Sequence, residues 1–290
     1  MWRTRRAYSI MASMNQSSRL SVSSWSLNRT LGKPPFHGVA DAWPQWTPPA
    51  DAVALLELPA RIKAFGINTM EICHFHLPSR EAGYLRELRS ALKEADVELW
   101  SLLIDDGDLT HIENGARDCD WIASWIDVAS TLGARNARVI AGKAEPTPEN
   151  LRRSRDAFRE LCARGEAGGV RVMTENWFDL LSAPEHVLWL LDEMEGRIGL
   201  CGDFGNWSGA DKYEKLAPIL PRADSLHVKC SFSAALASRE TMNRDDFTRC
   251  LDLVREAGFS GPYTLIYDGP DADEWRGLEL EREEVEKYLR

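Results

Sequence analysis

Eight apolar, strand-like runs, each followed by a segment of helical periodicity, constrain this 290-residue chain more than any other feature. They begin at Arg19–Leu27, Ile67–His76, Val97–Ile104, Asn136–Ala141, Val170–Thr174, the opening of Ile198–Trp207, Ser225–Val228 and Pro262–Tyr267. Most successive runs start roughly 26 to 40 residues apart, the length of a strand–helix–strand unit. Strands joined through helices lie parallel, with the helices packed outside the sheet. Eight such units predict an α/β fold, a closed, parallel, eight-stranded (β/α)8 TIM barrel filling residues 19–290 as one domain.

Local signals agree with that alternation. Gly66, Gly133, Gly196 and Gly258 stand where helical patterns stop, and Thr147-Pro148 reads as a cap and first helical position. Ser182-Ala-Pro-Glu185 fits a capping box, and Trp121, Trp125 and Val128 recur at helical spacing before Gly133. The last helix is expected over Leu278–Leu289. Unusual polar residues gather where strands lead into helices, the side on which barrels of this kind carry their chemistry.

Charge and cysteine usage narrow the classes. Against 35 basic residues stand 45 acidic ones, a formal net charge of −10, so a nucleic-acid or anionic-membrane binder is not expected. No run reaches the roughly 18 apolar residues of a membrane span. None of the six cysteines forms a CxxC pair, and their apolar settings predict reduced, mostly buried thiols in a cytoplasmic protein. Residues 1–18, with three arginines and no apolar signal core, read as a disordered extension ahead of the fold.

The chemistry is expected at three successive strand ends. Val170–Trp177 delivers Glu175, Ile198–Trp207 delivers Asp203 with Asn206 beyond it, and Ser225–Cys230 delivers His227. A Glu, an Asp and a His meeting at one mouth suit a divalent metal or an acid–base site. Lys229 shares the parity of His227 and leans toward the same pocket, where its charge suits an oxyanion. His74 and His76, two residues apart on the second run, are candidates for substrate contact, and His76 for a helper in proton transfer. Trp177 and Trp207 near strand ends offer aromatic faces to a sugar. Asp105, Asp106 and Asp108 read as a solvated acidic loop, with sugar hydroxyls as the other partner; His37, Trp43 and Trp46 read as a lid or subunit contact.

The order of Glu175 in MTENW, Asp203 in CGDFGN and His227 in LHVKC resembles the xylose isomerase-like TIM barrel superfamily, to which sugar phosphate isomerases and epimerases belong. WSLNRTLG near the start and MEICHFHLP on the second run resemble it too. The resemblance implies a divalent metal, Mn²⁺ or Mg²⁺, held by Glu175, Asp203, His227 and a glutamate from the eighth strand. There this chain carries Ile266, which cannot ligate; Asp268, of the same parity and nearer the mouth, is the candidate replacement.

The resemblance thus implies a carbohydrate-active isomerase or epimerase working by proton transfer next to a carbonyl, with a small carbohydrate as its substrate. Two other readings stay open. One is a metal-free or non-catalytic sugar-binding barrel with a degenerate eighth strand; the other is a lyase acting by β-elimination on a keto-sugar. Loss of the second carboxylate favours one-base chemistry, with Glu175 as base and Lys229 or His76 as helper, over epimerisation. A homo-oligomer is left open.

Overall fold

Strand pairing runs in chain order around a closed circle, in a computed structural model that describes residues 17–289. The strands are β1 (Arg19–Ser23), β2 (Thr69–Cys73), β3 (Glu98–Ile104), β4 (Asn136–Val139), β5 (Arg171–Glu175), β6 (Gly199–Asp203), β7 (Ser225–Lys229) and β8 (Pro262–Ile266). Each pairs in parallel with the next, and β8 closes on β1 through four residue pairs from Arg19–Pro262 to Val22–Leu265. The expected TIM barrel is therefore the observed one. The expected extension, residues 1–18, falls almost wholly outside the described residues.

Among the described residues, eight α-helices follow the strands: α1 (Leu58–Ala64), α2 (Ala82–Glu94), α3 (Gly115–Leu132), α4 (Pro148–Gly168), α5 (Pro184–Glu193), α6 (Lys212–Ile219), α7 (Arg244–Glu256) and α8 (Glu274–Val285). Helix α2 buries Leu85, Leu88 and Leu92, and α3 buries Ile122, Trp125, Ile126 and Ala129, each a stripe at spacings of three and four. Each large apolar side chain taken from water this way contributes about 1.5–3 kcal/mol. Gly133 stops α3 in the left-handed region at φ 78°, a conformation that costs a β-carbon-bearing residue more.

Two helix starts differ from the sequence reading. Ser182 does not cap α5; its hydroxyl donates to the Asp179 carbonyl at 2.8 Å, closing a separate 3₁₀ turn, and α5 begins at Pro184. The final helix begins four residues early because Asp273 accepts from the Arg276 N–H at 3.0 Å and caps it. Thr147 caps α4 as expected, accepting from Asn150 N at 3.2 Å. No helix among the described residues is long and apolar enough to cross a membrane.

Strand alternation splits the sheet residues into two sets. Val22, Ile72, Leu102, Val139, Val172, Leu200, Leu226 and Leu265 face outward and join the helices in one apolar cluster. The other parity points at the barrel axis, and much of it is polar: Ser21, Glu71, Ser101, Arg138, Glu175, His227 and Thr264 are all buried. This polar interior, open toward the strand C-termini, positions the site.

Candidate active site

His227 is the residue around which the interior converges. Its Nε2 lies 2.8 Å from Glu71 Oε2, across the axis on β2. Its Nδ1 faces the other way, 3.4 Å from Glu175 Oε2 and 3.6 Å from Asp203 Oδ2. Burial opposes charge on this ring, but the groups around it, Cys201, Glu175 and Glu71, raise its pKa well above the usual histidine value. The three residues expected to meet at one mouth are thus brought together on β5, β6 and β7.

Neighbouring strand ends lock both carboxylates in place. Asn176 clamps β5 to β6: its side-chain oxygen accepts from Asp203 N at 2.7 Å and its amide donates to the Asp203 carbonyl at 3.1 Å. Asp203 Oδ1 then accepts from Gly205 N at 2.5 Å and Asn206 N at 2.7 Å, tying the turn beyond β6. Asn206 returns through its side-chain amide, 2.5 Å from Glu175 Oε1. Oε2 of Glu175 takes no hydrogen bond, although the residue is 5% exposed.

Arg138 on β4 was not legible as a site residue, yet it sets the charge of Glu175. Its Nη2 donates to Asp105 Oδ1 at 2.5 Å and its Nε lies 3.1 Å from Glu175 Oε2, out of line for a hydrogen bond. The Trp177 ring lies 5.3 Å from the guanidinium carbon, and Phe178 packs on Trp177 at a strained φ of 57°. Burial works against the Glu175 carboxylate, but Arg138 and then His227 outweigh it and hold its pKa below the ordinary value. Asp105 is held well below the carboxylate range the same way, burial being overcome by Arg138.

Several expected residues are employed elsewhere. His74 and His76 are not on β2 but in a 3₁₀ turn after it. His76 is held at both ring nitrogens, by Ser24 Oγ at 2.8 Å and Asn28 Oδ1 at 3.2 Å, and burial lowers its pKa to about 3. His74 bonds the His37 carbonyl at 2.9 Å through Nε2 and accepts from Asp105 N at 3.1 Å. Both rings are bonded into the mouth of the barrel. Trp207 is core, 6% exposed, with Nε1 donating to the Leu181 carbonyl at 3.2 Å. The acidic loop is not solvated: Asp105 pairs with Arg138, Asp106 with Lys143 at 2.6 Å, and Asp108 accepts from Thr110 and from Lys143 N. Trp43 stacks on Trp125 beside His37, so the long first loop packs onto α3.

Asp268, the candidate for the missing glutamate, is paired with Lys229 in this structure. It stands at the rim, 38% exposed in its side chain. The Lys229 stem crosses so close over Gly205 that a β-carbon there would lie 2.6 Å from Cδ. Ile266 fills the strand-eight position, 5% exposed.

The donor set suits a divalent cation. Buried Glu71, Asp105, Glu175 and Asp203 face one buried guanidinium, Arg138, and two imidazoles, His227 and His74, an excess of negative charge that burial makes costly. The Glu71–His227 contact is how a metal-ligating imidazole is oriented from behind, leaving the other nitrogen free for the ion. Glu175 Oε2, which takes no hydrogen bond, lies on that side, 3.4 Å from the ring. Glu175, Cys201 and His227 each place a donor atom within 4.8 Å of the others. Cys201, 1% exposed on β6, was read from sequence only as a buried thiol; burial pushes its pKa up to about 11.

Comparison with known proteins agrees with the architecture. A profile described as xylose isomerase-like TIM barrel matches residues 59–287. Among curated proteins none matches in sequence. The fold is similar to a xylose isomerase-like TIM barrel protein from Mycobacterium smegmatis solved in complex with magnesium (15% identity, TM-score 0.64, 94% of this chain and 98% of that one). It is also similar to an L-ribulose 3-epimerase (16%, TM-score 0.69, 94% of each chain). A third is a probable 3-DHS dehydratase of petrobactin synthesis from Bacillus anthracis (16%, TM-score 0.65, 93% and 98%).

Proposed function

Because the chain belongs to the xylose isomerase-like TIM barrel family, we propose that it is a metal-assisted enzyme moving a proton next to the carbonyl of a sugar or keto-sugar. The observation that carries this is Glu175: a buried carboxylate, kept ionised by Arg138 and His227, with one oxygen tied by Asn206 and the other beside those two cations but free of any hydrogen bond. That is the condition of a base awaiting a C–H proton. Glu175, Asp203 and His227 would hold a divalent ion, which when bound polarises the hydroxyl–carbonyl pair. Lys229, over Gly205, supplies a cation to an oxyanion at the rim, with Asp268 fixing its position.

Ile266 favours one-base chemistry, aldose–ketose isomerisation or β-elimination, over epimerisation, which usually needs a group on each face of the substrate. The similar folds named above as an epimerase and a dehydratase both suit carbonyl-adjacent proton removal. Activity on a panel of keto-sugars, before and after chelation and with Mn²⁺, Mg²⁺, Co²⁺ or Zn²⁺ returned, tests the reading. A metal-free binding barrel gives no turnover under either condition.

A further inference from the structure

The loss of the strand-eight carboxylate leaves the family's ligand set one donor short, and strand eight does not refill it. Ile266 is apolar, and the next inward residue, Asp268, is spent on Lys229 at the rim. The donor atoms that do cluster tightly come from Glu175, His227 and Cys201, mutually within 4.8 Å. Two donors sharing one ion at roughly 2.0–2.3 Å each stand at most about 4.6 Å apart, so this trio needs little adjustment. Cys201 precedes Asp203 by two residues on β6, so both side chains point at the axis. The buried Glu175 Oε2 takes no hydrogen bond from the protein, Arg138 Nε at 3.1 Å and His227 Nδ1 at 3.4 Å being ion-pair neighbours only.

We propose that Cys201 supplies the donor that strand eight has lost, and that the site therefore takes a zinc- or cobalt-class ion in preference to magnesium. The inference rests on the metal-assisted reading above. On ligation the S–H bond breaks, its proton goes to solvent, and the sulfur lone pair forms the metal bond. A thiolate is a soft donor; it favours Zn²⁺ and Co²⁺ over Mg²⁺, which prefers an all-oxygen shell. A site built of imidazole, thiolate and carboxylates sorts ions differently from one built of imidazole and three carboxylates.

The experiment is titration of Co²⁺ into the chelator-treated full-length chain, followed by absorption spectroscopy, with Zn²⁺ and Mg²⁺ as competitors. Wild type should show the visible cobalt bands together with a near-ultraviolet sulfur-to-cobalt charge-transfer band. Zn²⁺ should displace the cobalt and Mg²⁺ should not, even at a hundredfold excess. Cys201→Ser should bind Co²⁺ at least tenfold more weakly and without the charge-transfer band; Cys201→Ala replaces it should the serine variant fail to fold. Visible bands without charge transfer in wild type would overturn the role of Cys201 and leave the metal reading standing. Absence of any cobalt uptake by wild type would overturn both.

Discussion

Glu71 reaches across the barrel axis to His227, its Oε2 2.8 Å from the ring Nε2, so two residues 156 positions apart fix one imidazole orientation. The bond leaves Nδ1 turned toward Glu175 and Asp203. If this contact orients a metal ligand, Glu71→Gln should weaken Mn²⁺ or Co²⁺ binding by about 10–100-fold while the fold persists. Calorimetric titration of wild type and variant measures it; equal affinities would remove Glu71 from the site.

Arg138 is predicted to be the costliest single loss in the interior. Arg138→Met leaves Asp105 buried without its cation and should reduce unfolding stability by about 3–5 kcal/mol. Asp105→Leu in the same chain should restore a good part of it. Urea denaturation of both variants checks the pair.

Ile266→Glu should tighten metal retention. Position 266 faces Lys229 across the β7–β8 register and shares its inward parity, so a carboxylate there reaches the same mouth. Slower loss of bound Mn²⁺ to a chelator is the expected result, and unchanged or faster loss would contradict it.

Glu281 on α8 predicts a pH dependence of stability away from the site. It is fully buried, accepts from Cys230 N at 3.2 Å through one oxygen, and has no partner for the other. Burial raises its pKa well above the usual glutamate value. The folded chain therefore retains a proton that the unfolded chain releases, and the resulting stability is present at low pH. It is lost as pH rises from the ordinary glutamate range through the raised folded value. Glu281→Gln, which keeps the acceptor and cannot lose a proton, should stabilise the protein at pH 8 and much less at pH 5. Equal changes at both pH values would contradict the linkage.

The sequence made the barrel readable because strand-like and helical segments alternate at a regular interval, and because most polar residues break the apolar runs at their ends. Glu175, Asp203 and His227 were legible for that reason. Glu71 and Arg138 were not, since each sits inside a short run and its partner lies on a distant strand. A signal was there: parallel strands buried on both faces read as apolar throughout, so one charge within MEIC or NARVI marks an inward polar layer. His74 and His76 were misplaced because β2 ends at Cys73, and the two-residue alternation does not continue into a 3₁₀ turn. Asp105 looked like part of a solvated loop, and only the fold brings Arg138 to it.

Glu175 is expected to remove a proton beside a carbonyl. The direct test is incubation of the metal-loaded enzyme with keto-sugars in D₂O, with NMR following stereochemistry and deuterium. Wild type should give isomerised or eliminated product, with solvent deuterium at the carbon next to the carbonyl whenever an aldose–ketose exchange occurs. Glu175→Gln should lower kcat by roughly 10²–10⁴. Clean inversion at one carbon with deuterium incorporated there would show a second base and contradict the one-base reading. Exchange by Glu175→Gln at the wild-type rate would contradict the role of Glu175 itself.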